Sequence, residues 1–506
     1  MRQKLTPQEN RRAWLMAGLI VLLMLLIAGA FLLPQLNPPR AAAPDAPAPD
    51  LLSASAGMDA IRVSAVFDPE AALLTATQVM ELRNPAGQPL EEIILRSYSG
   101  AYLTEETSPA AVDELFLASY GAAFSPGGLT LESAQINGAP VAFTWQDDAH
   151  TVLRLSAAWP EDATLTVELR YTVRIPRCAS RFGEDNGIWA LGNVFPTLAL
   201  WQEGAWRTDP YIAIGDPFQS ACANWQVEVD VPAGYAVAAT GYAQPAEADG
   251  RARYAFDARA VRDFALVISD RWQMRTAMAG DTHLVAYALT DKTANDMLTY
   301  AAGAIACFER HYGPYVYPTL TLAEVSFPFG GMEYPRMVMI ASDAVNLSGD
   351  VLETTVVHET AHQWWYAMVG SDSVNQPWQD ESLCEYALMD YIGDTYGAQA
   401  RANAAFSRIE LALRITIPRS VTPGSPIDYF ANLTEYSWVV YQRGAALWMA
   451  LEEFMGKPRL DAALQEYQRT FRFGVATRED LTAILTRHAD KDVSGLMVDY
   501  LDTHMN

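Results

Sequence analysis

The chain has 506 residues, enough for two or three domains, and half of them are hydrophobic, so it can bury a large core. Its 60 acidic and 35 basic residues give a formal net charge of -25, which excludes the basic surface typical of nucleic-acid-binding proteins. This charge favours a soluble, self-repelling exterior and carries no information on the fold.

The first long apolar stretch runs from residue 13 to residue 33 and contains no charged residue. A helix of this length spans about 30 Å, which matches the hydrocarbon core of a bilayer. Four basic residues precede the stretch and only Arg40 follows closely, so the positive-inside rule places residues 1–12 in the cytoplasm. The sequence therefore predicts a cell-membrane protein with one transmembrane helix and an extracytoplasmic body.

A cleaved signal peptide is the alternative for this segment, because residues 41–43 are all alanine. The apolar core is longer than the roughly 7–15 residues of a signal peptide, which favours an uncleaved anchor. Residues 34–58 are predicted to form a linker, since prolines and alanines dominate its first half. Such segments are semi-extended and would hold the body away from the membrane.

Residues 59–291 are predicted to form a β-rich domain. Apolar residues alternate with polar ones from Thr164 to Ile175 and again from Trp225 to Val231, as in half-buried strands. Asn137-Gly138 is a strong hairpin signal. Many strands with regular turns indicate an antiparallel sandwich or saddle. Cys178 and Cys222 both lie here, and the sequence leaves open whether they are bridged.

Helical periodicity replaces the alternation from residue 292 onward. Predicted elements include a helix over Thr293–Arg310, a strand over Thr319–Val325, and helices over Gly444–Met455 and Arg478–Thr486. The strand leads to Gly330-Gly331-Met332-Glu333, where two glycines allow a substrate to approach the backbone closely.

The residues His358-Glu-Thr-Ala-His362 place two imidazoles four apart on one helix face, which is half of a tetrahedral zinc site. Helix signals predict that this helix starts near Asp350 and ends near Gly370. A second predicted helix would hold Glu381 in its first turn, as a third ligand. Two histidines and one carboxylate leave the fourth zinc position open, as in catalytic sites.

Three ordered blocks resemble the signatures of the M1 aminopeptidase family, gluzincins that share H-E-x-x-H-x18-E. The zinc block runs from His358 through Glu381. The block at residues 330–334 resembles G-x-M-E-N, with Tyr334 in place of Asn. Tyr441-Gln-Arg443-Gly resembles Y-x-K-G, with Arg in place of Lys.

The resemblance is strong over residues 292–506 and looser over residues 59–291. In the looser part, the family run A-R-x-x-F-P-C-x-D-E-P is replaced by Leu191-Gly-Asn-Val-Phe-Pro196 and Gly215-Asp-Pro-Phe218. The resemblance therefore assigns no substrate contact to the N-terminal domain.

The resemblance implies an α+β fold, in which a β-rich domain over 59–291 precedes a mostly helical, thermolysin-like catalytic domain over 292–506. It implies a metallopeptidase with one Zn²⁺ ion, most directly an aminopeptidase acting on peptides with a free N-terminus. The expected metal ligands are His358, His362 and Glu381. The expected catalytic residues are Glu359, which moves protons, and Tyr441, which stabilises the oxyanion. The expected substrate-binding residues are Gly330, Gly331, Met332 and Glu333, whose carboxylate holds the substrate's amino group.

Two other functions remain as alternatives. The chain ends about 65 residues after Tyr441, where many family members continue into a large helical domain. A more open site would suit a zinc endopeptidase or another gluzincin hydrolase. A membrane-tethered binding protein with a decayed site is the second alternative, although every expected catalytic group is present. The preferred N-terminal side chain, the physiological substrate and the oligomeric state stay open.

Overall fold

The computed structural model describes residues 49–112, 114–328, 330–347, 350–417 and 419–504. The predicted cytoplasmic segment 1–12, the predicted transmembrane helix 13–33 and the predicted linker up to residue 48 lie outside the described residues. In the described part of the chain, no helix is both long enough and apolar enough to cross a membrane.

The strands of the described residues, in chain order, are β1 Ala60–Asp68, β2 Leu73–Arg83, β3 Leu90–Arg96, β4 Gly128–Ile136, β5 Ala139–Pro140, β6 Phe143–Trp145, β7 Val152–Trp159, β8 Thr164–Arg174, β9 Phe182–Asp185, β10 Ile188–Leu191, β11 Thr197–Leu198, β12 Trp201–Gln202, β13 Ala205–Trp206, β14 Ala223–Pro232, β15 Ala236–Ala239, β16 Ala246–Ala248, β17 Arg251–Val261, β18 Leu266–Ser269, β19 Gln273–Ala279, β20 Thr282–Ala288, β21 Thr319–Val325, β22 Gly331–Met332 and β23 Met337–Ala341.

The α-helices are α1 Pro49–Ala54, α2 Phe116–Tyr120, α3 Asp291–Tyr312, α4 Ser342–Asn346, α5 Val351–Ala361, α6 Trp378–Tyr396, α7 Ala398–Ala405, α8 Leu433–Tyr436, α9 Gly444–Met455, α10 Lys457–Phe471, α11 Arg478–Ala489 and α12 Ser494–Leu501. Short 3₁₀ segments span Tyr98–Leu103, Ala412–Arg414 and Ile427–Tyr429. π-helical segments span Phe406–Glu410 and Ser437–Arg443.

The β-rich region is built on an eight-stranded sheet with the order β16-β17-β14-β1-β2-β8-β4-β5. Strands β8 and β14 confirm the predicted alternation, since every second side chain is buried. The predicted antiparallel arrangement holds for most pairs but is wrong for β1 and β14, which pair in parallel. Their pairing joins segments far apart in the chain, so local periodicity does not reveal it.

The hairpin between β4 and β5 confirms the Asn137-Gly138 signal. Ile136 pairs with Ala139, and both turn residues have positive φ, 51° and 80°. These are the dihedrals that a two-residue type I′ turn requires. The same region holds Cys178 and Cys222, both of them buried free thiols.

A five-stranded sheet with the order β19-β20-β21-β23-β22 supports the functional region. Strands β19 and β20 precede α3, so this sheet joins residues from both sides of the predicted boundary at 291/292. Strand β21 spans the predicted Thr319–Val325 and is buried along its whole length. The edge strand β22 pairs antiparallel with β23, through Gly331 with Ile340 and Met332 with Met339.

The helices behind this sheet confirm the predicted change of period, and two of them form the core of the region. Helix α5 is buried from Val356 to Ala361 and packs against α3 and α6. It ends well before Gly370, the predicted stop, because residues 362–369 form tight turns. The backbone N–H of Gly370 instead donates to the carbonyl of Gly474.

The first described residues, which belong to the predicted linker, also differ from the prediction. Residues 49–54 of the predicted linker form helix α1, in which Leu51 is buried. Asn224 of β14 donates a hydrogen bond from Nδ2 to the carbonyl of Ser55. This end of the predicted linker is therefore fastened to the eight-stranded sheet.

Candidate metal centre and active site

Helices α5 and α6 bring His358, His362 and Glu381 together. The two Nε2 atoms lie 3.1 Å apart, and Glu381 Oε2 is 3.3 Å from His358 Nε2 and 3.2 Å from His362 Nε2. A tetrahedral zinc ion with bonds of about 2.0–2.1 Å would have ligand atoms separated by about 3.3 Å. The donor types and their spacing therefore fit one zinc ion. We call these three residues the His358 cluster.

The outer ring nitrogen of each histidine faces an acceptor oxygen of the protein. His362 Nδ1 lies 3.0 Å from the carbonyl oxygen of Trp365, which can only accept, so Nδ1 donates and Nε2 faces the cluster. His358 Nδ1 lies 3.3 Å from Glu385 Oε1. Arg408 pairs with both oxygens of Glu385, at 2.9 Å and 3.1 Å. A carboxylate behind a metal-binding imidazole fixes its orientation and raises its basicity.

The charges of the site favour a bound cation. Burial lowers the pKa of His358, but the contacts with Glu381 and Glu385 outweigh it and raise that pKa to about 9. Burial raises the pKa of Glu381, yet the two histidines more than offset this and hold it below the ordinary range. Positive charge is thus stabilised at the point where the three donor atoms converge.

Glu359 lies beside the cluster and is almost fully buried. Its Oε2 atom has no hydrogen-bond partner among the residues that the structure describes. Burial raises its pKa to about 7. A Cβ atom on Gly331 would overlap the Glu359 carboxyl group, so a larger residue there would force this carboxyl group to move. The arrangement provides a carboxylate that can exchange protons near neutral pH.

Tyr441 is placed by the π-helical segment Ser437–Arg443, and such bulges often occur at functional sites. Its hydroxyl donates a 2.7 Å hydrogen bond to Glu381 Oε1. Its ring stacks on the His358 ring, with centroids 5.7 Å apart. The predicted catalytic tyrosine is therefore in direct contact with the predicted metal ligands.

Three of the four predicted substrate-binding residues, Gly330, Gly331 and Glu333, line the same cavity. Gly331 and Met332 form β22, while the carbonyl of Gly330 accepts from Ala341 N at 3.0 Å. Met332 is buried against the sheet and does not line the cavity. Glu333 follows the strand and comes within 4.8 Å of donor atoms of both Glu359 and His362. Its pKa is raised well above the ordinary value, mainly by burial.

Sequence reasoning missed Asp216 and Arg181, which enter the site from the β-rich region. One carboxylate oxygen each of Asp216, Glu333 and Glu381 lie within 4.8 Å of one another. Arg181 Nη1 donates to Asp216 Oδ1 at 2.6 Å. The sequence signal for Asp216 was the segment Gly215-Asp-Pro-Phe218, which is one of the two segments that replace the family run.

A cavity of about 300 Å³ connects these groups. It is lined at its centre by the His358 cluster and Glu359, and further out by Glu333, Asp216, Tyr441 and Arg408. Ligand pockets usually measure roughly 300–1,000 Å³, so this one suits a short stretch of substrate.

Comparisons with known proteins agree with this geometry. Residues 297–500 match the model of the Peptidase family M1 domain. Human aminopeptidase RNPEPL1 is 27% identical over 197 residues, which cover 35% of this chain and 26% of the human protein. Tricorn protease-interacting factor F2 from Thermoplasma acidophilum is 28% identical over 232 residues, covering 42% of this chain and 28% of that protein. These matched segments span less than a third of the relatives' length.

The fold extends the likeness over almost the whole described chain. The structure of an M1 zinc metallopeptidase variant from Deinococcus radiodurans, bound to a Tyr-Ser-Ala substrate, superposes with a TM-score of 0.61. The superposition covers 89% of this chain and 94% of that one at 17% sequence identity. The chain thus has the two-domain M1 peptidase fold, with a β-rich N-terminal part and a helical C-terminal part.

Proposed function

We propose that this protein is a zinc-dependent metallopeptidase that removes N-terminal residues from peptides. The observation that carries the proposal is the convergence of His358, His362 and Glu381 beside the buried carboxylate of Glu359. One zinc ion on these ligands would supply a Lewis acid that polarises the scissile carbonyl.

Glu359 is the group that moves protons. It takes a proton from the attacking water and later delivers it to the leaving amine. Burial raises its pKa above the ordinary value, which makes this carboxylate a better proton acceptor than an exposed one. Gly331 contributes by leaving space for this carboxylate in the position that it occupies.

Tyr441 donates a hydrogen bond to the carbonyl oxygen as negative charge develops on it. The hydroxyl lines the cavity and is held by Glu381 before substrate arrives. Its pKa is raised well above the ordinary value, by burial and then by Glu381, so it remains a donor across the working pH range.

Glu333 and Asp216 bind the free amino group of the substrate. Two carboxylates next to the cleavage point make charge-assisted hydrogen bonds to an ammonium group, and Arg181 holds Asp216 in place. With the N-terminus fixed there, the first peptide bond lies over the ligands, so cleavage releases one residue. The tripeptide bound to the Deinococcus relative supports peptides as the substrate class.

Turnover of an aminoacyl-amide panel by the purified full chain tests the function. We expect hydrolysis that a chelator abolishes and that one equivalent of zinc restores. Hydrolysis that persists unchanged in excess chelator would remove the metallopeptidase proposal. N-acetylated versions of the same substrates should be poor. If acetylated and free peptides are cleaved equally well, the enzyme is an endopeptidase and the roles of Glu333 and Asp216 are wrong.

We further propose that residues 13–33 anchor the protein in the cell membrane, with the catalytic part outside the cytoplasm. The support is the uncharged apolar stretch and the basic residues that precede it. The full chain should sediment with membranes after alkaline carbonate washing and should hydrolyse a membrane-impermeant peptide added to intact cells. Recovery in the soluble fraction would contradict the anchor.

A further inference from the structure

Glu333 lies just beyond the last pair of the sheet. The ladder between β22 and β23 ends at Met332, which pairs with Met339, so strand pairing does not fix Glu333. On one side, Gln363 Nε2 donates to the carbonyl oxygens of Tyr334 and Glu333, at 3.2 Å and 3.5 Å. Gln363 directly follows His362 in the chain, so these hydrogen bonds connect the backbone at Glu333 to the segment that carries the expected metal ligands.

On the other side, a chain of buried hydrogen bonds connects the next residue, Tyr334, to the β-rich region. The Tyr334 hydroxyl donates to Asn193 Oδ1 at 2.7 Å, and Asn193 Nδ2 donates to Asp263 Oδ2. Asp263 Oδ1 accepts from the backbone N–H of Phe264 at 2.7 Å. Tyr334, Asn193 and Asp263 are at most 4% exposed, so water does not compete for these bonds.

The backbone at residues 192–193 is shaped around the tyrosine. A Cβ atom on Gly192 would overlap the Tyr334 hydroxyl, so this position accepts only glycine. Asn193 has a φ of 51°, a conformation that asparagine tolerates better than most residues. Tyr334 and the segment Leu191–Pro196 are both places where the sequence departs from the family pattern, and the structure brings them into contact.

We propose that Tyr334, Asn193 and Asp263 are positioning residues that hold Glu333 at the orientation needed to bind the substrate's amino group. The inference rests on the proposed function of Glu333. The hydrogen bond from Tyr334 to Asn193 ties the residue after Glu333 to the β-rich region, while Gln363 ties the same backbone to the segment that follows α5. Glu333 is thus fixed from two sides, and its carboxylate keeps its place beside Asp216.

The test is the substitution Tyr334→Phe in the full chain, which removes the hydroxyl and keeps the ring. The probes are two competitive inhibitors, a leucine hydroxamate with a free amino group and its N-acetyl derivative. Both can bind the metal, but only the first carries the ammonium group. We expect the inhibition constant of the free-amine probe to rise about 3- to 10-fold, the effect of one buried hydrogen bond, and that of the acetylated probe to stay constant.

The matched control is Tyr317→Phe, because Tyr317 is also buried and its hydroxyl donates to the carbonyl of Ala260 at 2.8 Å. It should leave both inhibition constants unchanged. Asp263→Asn provides a second variant, which should weaken the free-amine probe alone, with zinc content unchanged in each variant.

Equal weakening of both probes in Tyr334→Phe and Asp263→Asn would show a general disturbance of the site and overturn the inference. Unchanged constants in both variants would do so as well. The proposed function fails separately, if the wild-type chain itself binds the two probes equally or shows no zinc-dependent turnover.

Discussion

Two clusters of histidine and acidic side chains can be compared within the described residues, and they differ in where the protein's own lysine and arginine side chains lie. The first is the His358 cluster, formed by His358, His362 and Glu381. A second group consists of two triads that share His311, in each of which the donor atoms lie within 4.8 Å of one another: Cys307, His311 and Asp394, and His311, Asp390 and Asp461. We call it the His311 cluster. Cys307 and His311 are four residues apart on α3, so ligand type and helical spacing alone do not separate the two.

In the His311 cluster, basic side chains occupy the acceptor atoms. Lys457 Nζ lies 2.8 Å from Asp390 Oδ2 and also pairs with Asp461 Oδ1. Arg310 Nη2 lies 2.5 Å from Asp394 Oδ2. The cluster is therefore an ion-pair network that ties α3, α6 and α10 together.

Near the His358 cluster, the arginines pair with carboxylates that are not among the three donor residues. Arg408 pairs with Glu385 behind His358, and Arg181 pairs with Asp216 at the cavity wall. The oxygens of Glu381 face two histidines and the Tyr441 hydroxyl. The comparison teaches that the number of donor atoms does not by itself mark a metal site. The acceptor atoms must also be left open by the protein's own lysine and arginine side chains.

The largest expected effect distinguishes the clusters by metal content. His362→Ala removes one of three ligands, so we expect the purified protein to lose its zinc and all measurable turnover. His311→Ala should keep one zinc per chain and near-normal turnover. Elemental analysis after gel filtration, combined with an aminoacyl-amide assay, provides the measurement. Zinc loss from His311→Ala, or full zinc retention by His362→Ala, would reverse the assignment.

The next effect concerns catalysis with the metal in place. Glu359→Gln should retain zinc and lower kcat by roughly 10²- to 10⁴-fold, because the amide cannot take up the proton. Glu353→Gln is the matched control on the same helix, since Glu353 accepts hydrogen bonds from Tyr391 and Tyr396 outside the cavity. A Glu359→Gln enzyme with normal kcat would refute the proton-transfer role.

The two outer carboxylates sharpen the comparison, because each lies at the Nδ1 atom of a histidine. Glu385→Gln should weaken zinc binding by roughly 10- to 100-fold, the usual cost of losing a carboxylate behind a ligand. Asp461→Asn makes the same chemical change at His311 and should leave zinc affinity unaltered. Competition with a chromogenic chelator measures the zinc affinity of both variants. Equal zinc affinities in the two variants would remove the distinction between the two clusters.

The parts of the site that the sequence predicts are those set by short-range geometry. His358 and His362 share a helix face, and Glu381 lies in the first turn of the next helix, so spacing is enough to place them. The strands β8 and β14 follow likewise from alternation. Asp216 and Asn193 come from loops of the β-rich region, and their approach to residues 333 and 334 depends on long-range packing. No local pattern encodes such contacts.

The end of α5 and the contact made by Arg408 also depend on long-range packing, which local sequence patterns do not predict. A glycine at position 370 reads as a helix stop, but a Cβ there would overlap the Arg262 guanidinium, so packing between distant segments accounts for it. Arg408 lies on the π-helical segment Phe406–Glu410, which sequence periodicity does not predict. It reaches Glu385 because α7, which packs against α6, leads directly into this segment.

The smallest effect is a dependence of stability on pH that comes from His311. The hydrogen bond to Asp461 raises the pKa of His311 above its ordinary value of 6.5, and this outweighs burial and the nearby Lys457. Asp390 and Asp394 from α6, and Arg310 and Cys307 from α3, complete the charged surroundings. A protonated His311 therefore stabilises the folded state.

Because the folded pKa is raised, this stabilisation is fully present below the unfolded pKa of about 6.5 and is lost as pH rises through the folded pKa. We expect His311→Gln to melt at a lower Tm than the wild-type chain below that pH, and the two Tm values to converge at alkaline pH. Differential scanning calorimetry in matched buffers measures the difference. A gap that is constant or widens with increasing pH would show that the charge of His311 does not stabilise the network, and the contrast with the His358 cluster would then need another physical basis.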